Sequence, residues 1–352
     1  MDKIRVGLIR CDMHGMYYGA LMARHDPMRL QAPVADRSEA TYTWQTGGAH
    51  FYFYTHYSDP TRMTVPSLHD FEITRVWDES PEAAEVFATV FETRPGVCQT
   101  FDEVSDDVDL VFVADCNYDG SDHLELATPG IEKGVPTFID KPLACDLKDA
   151  QAIVDLAQRH EVPVLSLSIL RTLPQARLFA DRFPEVGEVA FVSIKGGGPS
   201  LAGQIHAISL AQNFFGPGVA SVECMGENPL GFIHLNYPDK PGFPPCGVML
   251  NADTGATYHC AFYTSAFGRL GAIHSSDLGD FEFPYGAFEI LKKVKQMVET
   301  GRPPVSYGEM LENIAVATAA RQAHRTGRRV SLKEAGFDIE AHRRVEKDTE
   351  GG

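Results

Sequence analysis

Residues 3–22 read KIRVGLIRCDMHGMYYGALM. Lys3 to Ile9 form an apolar, β-branched run of strand length, and from His14 the apolar residues take up helical spacing, with Met16, Leu21 and Met22 on related faces. A strand that turns directly into a helix opens a β-α-β unit, and the chain goes on in the same way. EITRVWD ends at Asp78 and leads into PEAAEVFATVF, where Pro81 pre-sets the first helical turn and acidic residues complement its N-terminus. VDLVFVAD (108–115), the helical LELATPGIEKG, PTFID (136–140), a helix over 147–160 and PVLSLS (163–168) follow. Short strands of almost unbroken Val, Leu, Ile and Phe are buried on both faces, as in a parallel sheet covered by helices. The reading is an α/β doubly wound sheet, a Rossmann fold, over residues 1–168.

One stretch interrupts the alternation. Between the first helix and the second strand lies an insert over about 26–70, rich in aromatics: Tyr42, Trp44, Phe51, Tyr52, Phe53, Tyr54 and Tyr57. A helix-to-strand connection emerges opposite the strand carboxyl ends where such folds bind ligands, so the insert reads as packing or subunit contact, with a lid over the site as the sharper alternative. After Arg171 the character changes. EVAFVSIKGGGP and the run from Pro245 to Asp277 alternate with period two and carry Gly and Asn punctuation, as antiparallel strands do. Two further helices, from Ala287 and from Met310, complete an α+β domain over 169–335 with a largely antiparallel open sheet, before a charged tail at 336–352.

Bulk properties agree with a two-domain globular chain. At 352 residues, 44% hydrophobic and 22% charged, it suits two cores of roughly 150 residues each. A formal charge of −17 disfavours nucleic acid and anionic lipid, and the short basic stretch around Arg325 to Arg329 does not offset it. No stretch reaches the roughly 18 apolar residues of a membrane span. The N-terminal run lacks the h-region and cleavage site of a signal peptide, so the expected compartment is the cytoplasm. Seven scattered cysteines without a CxxC pair read as reduced thiols.

The segment IDKPLACDLKDAQAIV, opening on Asp140, Lys141 and Pro142, resembles the Glu-Lys-Pro signature of the Gfo/Idh/MocA family of sugar oxidoreductases. Arg171 in SLSILRTLP, the GEV strand entry at Gly187 and the run GGGPSLAGQIH ending at His206 extend the resemblance over nearly the whole chain. It implies an NAD(P)-dependent dehydrogenase acting on a sugar, cyclitol or sugar derivative, with Lys141 and His206 catalytic at the reacting carbon. In that role Lys141 stabilises a developing alkoxide and His206 moves a proton. The family's acidic partner four residues before the histidine is Ala202 here. The resemblance also implies a homodimer or homotetramer built across the second-domain sheet.

Candidate cofactor contacts lie at the strand ends and in the first turn: Ile9, Arg10, Asp12, His14 and Gly15. The later strand ends add Asp78, Asp115, Asn117, Asp140 and Lys141. Candidate substrate contacts are Lys141, Arg171, His206 and His123. Asp78 is placed to accept hydrogen bonds from an adenosine ribose, which favours NAD over NADP, although Asp78 or Ser80 also serves as an N-cap for the helix at Pro81. The first turn departs from the GxGxxG fingerprint. Aligned on Gly15, its first two glycines are Arg10 and Asp12. An Asp12 carboxylate repels a diphosphate, whereas Arg10 attracts it or pairs with Asp12. The family loop Pro-Asn-x-x-His is DCNYDGSDH here, so Asn117 and His123 stand further apart.

Cys11, Asp12 and His14, with Asp122 and His123, are metal-capable types on adjacent loops. His234, His259, Tyr263, His274 and Tyr285 of the second domain are pocket-lining rather than catalytic types. Two further readings therefore stand beside the dehydrogenase. One is a non-redox lyase, hydrolase or isomerase on a sugar-like substrate, with or without a metal. The other is a non-catalytic binding or scaffold protein of the same fold.

Overall fold

The computed structural model describes residues 3–32, 34, 43–56, 58–116, 119–252 and 261–339. Asn117, Tyr42, Tyr57 and His259 lie outside the described residues. The chain forms two compact units, the first comprising Met1–Lys141, Gln151–Ser166 and Ala287–Pro304, the second Pro142–Ala150, Leu167–Gly286 and Val305–Gly352. The segment from Ala287, read from sequence with the second domain, thus groups with the first unit.

In the first unit, strands β1 (Ile4–Ile9), β2 (Phe71–Trp77), β3 (Gly96–Val97), β4 (Leu110–Val113), β5 (Thr137–Ile139) and β6 (Val164–Leu165) make one six-stranded sheet in the order β3-β2-β1-β4-β5-β6. Every pairing is parallel. All residues of β4 and β5 are buried, as their continuous apolar sequences require. The strand order reverses between β1 and β4, and the crevice outside the carboxyl ends at such a reversal is where open α/β sheets bind ligands. The loops after Ile9 and after Val113 flank that point.

Helix α1 (Met13–Met22) follows β1 after three residues, and packs so close to the turn that only glycine fits at position 15. A Cβ on Gly15 would fall 2.2 Å from the Arg10 carbonyl oxygen. The insert contributes α2 (Ala49–Phe53) and packs along α1. Tyr17 meets Tyr52 and Phe53 at ring distances of 5.3 and 4.8 Å, Trp44 lies edge-on to Phe87 at 5.7 Å, and Tyr54 Oη sits 2.6 Å from His25 Nε2. Trp44 and Phe53 are wholly buried. Helices α3 (Pro81–Val90), α4 (His123–Glu132) and α5 (Leu147–His160) complete the alternation.

The second unit begins with the short helices α6 (Ile169–Thr172) and α7 (Pro174–Ala180). Its sheet contains β7 (Val189–Lys195), β8 (Ser221–Met225), β9 (Phe232–Asn236), β10 (Val248–Asn251), β11 (Ala261–Gly268), β12 (Gly271–His274) and β14 (Val330–Ser331), in the order β12-β11-β7-β10-β9-β8-β14, with β13 (Leu278–Gly279) paired to β11. Only β7 and β10 pair in parallel; the other pairs are antiparallel. Helix α8 (Leu201–Phe215) packs on β7 and β10, and α10 (Tyr307–Thr326) on β8, against the inward row Val192, Ile194, Val222, Val248 and Leu250. Helix α9 (Phe283–Thr300) belongs to the first unit from Ala287 onward. Gly203 inside α8 is required sterically, because a Cβ there would lie 1.8 Å from the Gly197 carbonyl oxygen. No helix among the described residues is long and apolar enough to cross a membrane.

Candidate functional site

The turn after β1 joins the strand to α1 through Arg10, Cys11 and Asp12. Arg10 adopts a left-handed φ of 74°, a conformation that costs a non-glycine residue about 1 kcal/mol or more. Its guanidinium compensates by reaching three carboxylates. Nη1 bonds Asp115 at 2.7 Å, Nη2 bonds Glu79 at 2.8 Å, and Nη2 also pairs closely with Asp122. Burial works against that charge, but Asp115, Asp122 and Glu79 together outweigh it and hold the guanidinium well above its ordinary pKa. His123 donates from Nε2 to the other Asp115 oxygen at 2.9 Å.

Asp12 caps α1. Its Oδ1 accepts from the Gly15 N–H at 2.9 Å and its Oδ2 from the Cys116 N–H at 2.6 Å, and it has no solvent exposure. Burial pushes this carboxyl upward, against the opposing pull of His14. Asp78, buried at the end of β2, accepts from the Cys11 N–H and the Ser80 N–H, both at 2.8 Å. The cap of α3 is Ser80, whose hydroxyl accepts from Ala83 N–H. Asp78 is therefore the brace that ties the first turn to the second.

Beyond the turn, His14 Nδ1 donates to Asp140 Oδ2 at 2.5 Å, and Asp140 is buried at the end of β5. Burial disfavours the imidazolium, but Cys116 and Asp140 beside it prevail and raise its pKa well above the ordinary 6.5. A histidine whose folded pKa is raised contributes stability that is complete below 6.5 and fades as pH climbs through the higher folded value. Denaturant titrations from pH 6 upward should show wild type losing stability with rising pH, and Asp140→Asn flattening that slope. An unchanged slope in the variant would remove Asp140 as the cause. Lys141 follows at the strand end, partly exposed, and among the described residues its ammonium makes no hydrogen bond or ion pair.

In the second unit, His206 lies on α8, with its Nδ1 2.7 Å from Ser168 Oγ. Ser168 is itself fixed, because its oxygen caps the Leu170 N–H at 3.1 Å. Sequence reasoning found nothing to orient His206 once Ala202 replaced the acidic partner. The orienting group is a serine at the end of PVLSLS, distant in sequence and without a spacing signal. Arg171, expected to contact substrate, is in a salt bridge with Glu309 at 3.0 Å.

Other expectations change in the same way. His123 is wholly buried, with its Nε2 2.9 Å from Asp115. Ile9 is closed into the sheet, its carbonyl taken by Ala114 N–H. Cys11, Asp12 and His14 do not converge: the Cys11 thiol turns to the Trp77 carbonyl, Asp12 to backbone donors and His14 to Asp140. Asp115, Asp122 and His123 bring ligand atoms within 4.8 Å of one another, but the Arg10 guanidinium already neutralises the two carboxylates. Glu79, also in the site, went unread because it stands in no motif, and Cys116 because only its neighbours in DCNYDGSDH carry the motif's residue types.

Part of the first unit is similar to the Gfo/Idh/MocA family of oxidoreductases. Residues 49–167 match the model of that family, described as an oxidoreductase family with an NAD-binding Rossmann fold, and the resemblance drawn from Asp140, Lys141 and Pro142 is borne out. Among solved structures, the chain is similar to a myo-inositol dehydrogenase from Corynebacterium glutamicum, with a TM-score of 0.66 at 16% identity over 94% of this chain and 99% of that one. It is similar also to a scyllo-inositol dehydrogenase from Lactobacillus casei solved with NAD(H) and scyllo-inositol, with a TM-score of 0.67 at 12% identity over 94% and 100%. At such identities the likeness establishes the fold. A short stretch is 50% identical over 42 residues to the myo-inositol dehydrogenase Hyg17 of Streptomyces leeuwenhoekii, spanning 12% of this chain and 13% of that protein.

Proposed function

We propose that the chain is an NAD-linked oxidoreductase acting on a hydroxyl of a sugar, cyclitol or sugar derivative. The observation that carries this reading is the strand-end pair Asp140 and Lys141, which lies within the family match and at the end of β5, one strand from the strand-order reversal. A bound nicotinamide would supply the hydride acceptor. The residues present suit such a cofactor at two places and oppose it at a third. Asp78 ends β2 where a ribose acceptor belongs, and Lys141 stands at the end of β5 with an unpaired ammonium among the described residues. The turn between them is filled by Arg10 and Asp12.

The chain's own chemistry follows from its side chains. Lys141 donates a hydrogen bond to the substrate oxygen and favours its alkoxide form. His206, steered by Ser168, takes up or returns a proton at its imidazole. The test is NADH formation from a panel of inositols and aldoses by the purified chain; turnover of none of them, with either NAD or NADP, overturns the reading.

A second reading, a non-redox lyase, hydrolase or isomerase reusing Lys141, is favoured by the filled turn, and turnover of such a substrate without added dinucleotide would select it. We also propose a cytoplasmic homo-oligomer formed across the second sheet, whose outer row includes Phe191, Tyr263 and Phe267, the last two substantially exposed. Light scattering should give a multiple of the chain mass, reduced by Phe267→Glu; a monomer in wild type ends that proposal.

A further inference from the structure

Backbone N–H groups at a strand-to-helix turn are what a dinucleotide diphosphate uses. In this chain two buried carboxylates already hold four such donors: Gly15 and Cys116 on Asp12, Cys11 and Ser80 on Asp78. The Arg10 side chain, where the fingerprint has only a hydrogen, fills the adjoining space and is bound to Asp115, Asp122 and Glu79. A diphosphate arriving here meets five carboxylates, and the single guanidinium among them is committed.

We infer that Asp12 and the Arg10 ion-pair knot are an internal substitute for the diphosphate, so that a dinucleotide enters this turn only by displacing them. The inference rests on the dehydrogenase reading and concerns how that site is regulated. Two features make the knot releasable. Glu79 and Asp122 keep 59% and 30% of their side-chain surface exposed, so water can take over their half of the pairing, whereas Asp115 at 1% anchors the guanidinium. The left-handed backbone at Arg10 is also the conformation a glycine adopts without strain, so opening the turn needs side-chain movement and no new backbone path. When the open form is a minority, apparent affinity falls by its fractional population, about tenfold for an open tenth.

The experiment is calorimetric titration of NADH into the full chain as wild type, Asp12→Asn, and the double variant Arg10→Gly with Asp12→Gly. Asp12→Asn removes the charge and leaves a side-chain oxygen for the Gly15 N–H, so it tests the inference even where the double variant does not fold; thermal midpoints establish which variants do. The expected result is a Kd at least about tenfold tighter in the folded variants than in wild type. Equal affinity throughout, or tighter binding by wild type because Arg10 grips the diphosphate, overturns the inference and leaves the dehydrogenase reading standing. No binding by any folded variant overturns both.

Discussion

Lys141→Met should lower kcat for NADH formation by about a hundredfold to a thousandfold, with little change in KM, while NADH still binds. The size follows from what an oriented donor on a developing alkoxide is worth, roughly 3–4 kcal/mol for one such interaction. Among the described residues no carboxylate claims the Lys141 ammonium, so the substitution leaves no buried partner orphaned and should cost little stability. Lys141→Arg should not restore the rate, because the planar guanidinium cannot reproduce a point donor on a short reach. Steady-state kinetics with a thermal midpoint for each variant checks the claim; a Lys141→Met enzyme that keeps its kcat would move the proposed chemistry to another residue.

Trp44→Ala should destabilise the first unit by about 3–5 kcal/mol, the cost of emptying a large aromatic site in a well-packed core. Trp44 has no solvent exposure and lies edge-on to Phe87 of α3. Among the described residues its indole N–H has no hydrogen-bond partner, so the expected loss is one of packing. Chemical denaturation followed by tryptophan-independent circular dichroism gives the number. A change below about 1 kcal/mol would place the insert outside the cooperative unit.

Much of this fold is written in the chain. The β-α alternation was legible because each strand is short, apolar and buried on both faces, so composition and length alone separate it from the helices. The Asp140, Lys141, Pro142 signature was legible because adjacent residues at a strand end stay adjacent in the fold. The rest of the site depends on groups brought together by topology. Ser168 and His206 meet across a strand end and a helix, Arg10 gathers three acids from two separate loops, and His123 disappears beneath Asp115. No periodicity reports such meetings. The turn itself was half legible: the missing glycines were plain, but not that Arg10 would accept a left-handed φ. The grouping of Ala287–Pro304 with the first unit was likewise hidden, since an amphipathic helix does not say which core its apolar face will join.

The insert has a practical side. Helix α1 is buried at Met13, Gly15, Met16, Tyr17, Tyr18, Gly19, Ala20, Leu21 and Met22, leaving it almost no wet face, and part of that cover comes from residues 44–54. Anyone trimming the chain toward a minimal Rossmann domain, or grafting its first turn onto another scaffold, would treat 26–70 as a removable excursion. Its loss would instead uncover a sticky aromatic strip on α1, and the shortened protein would be expected to precipitate rather than shrink.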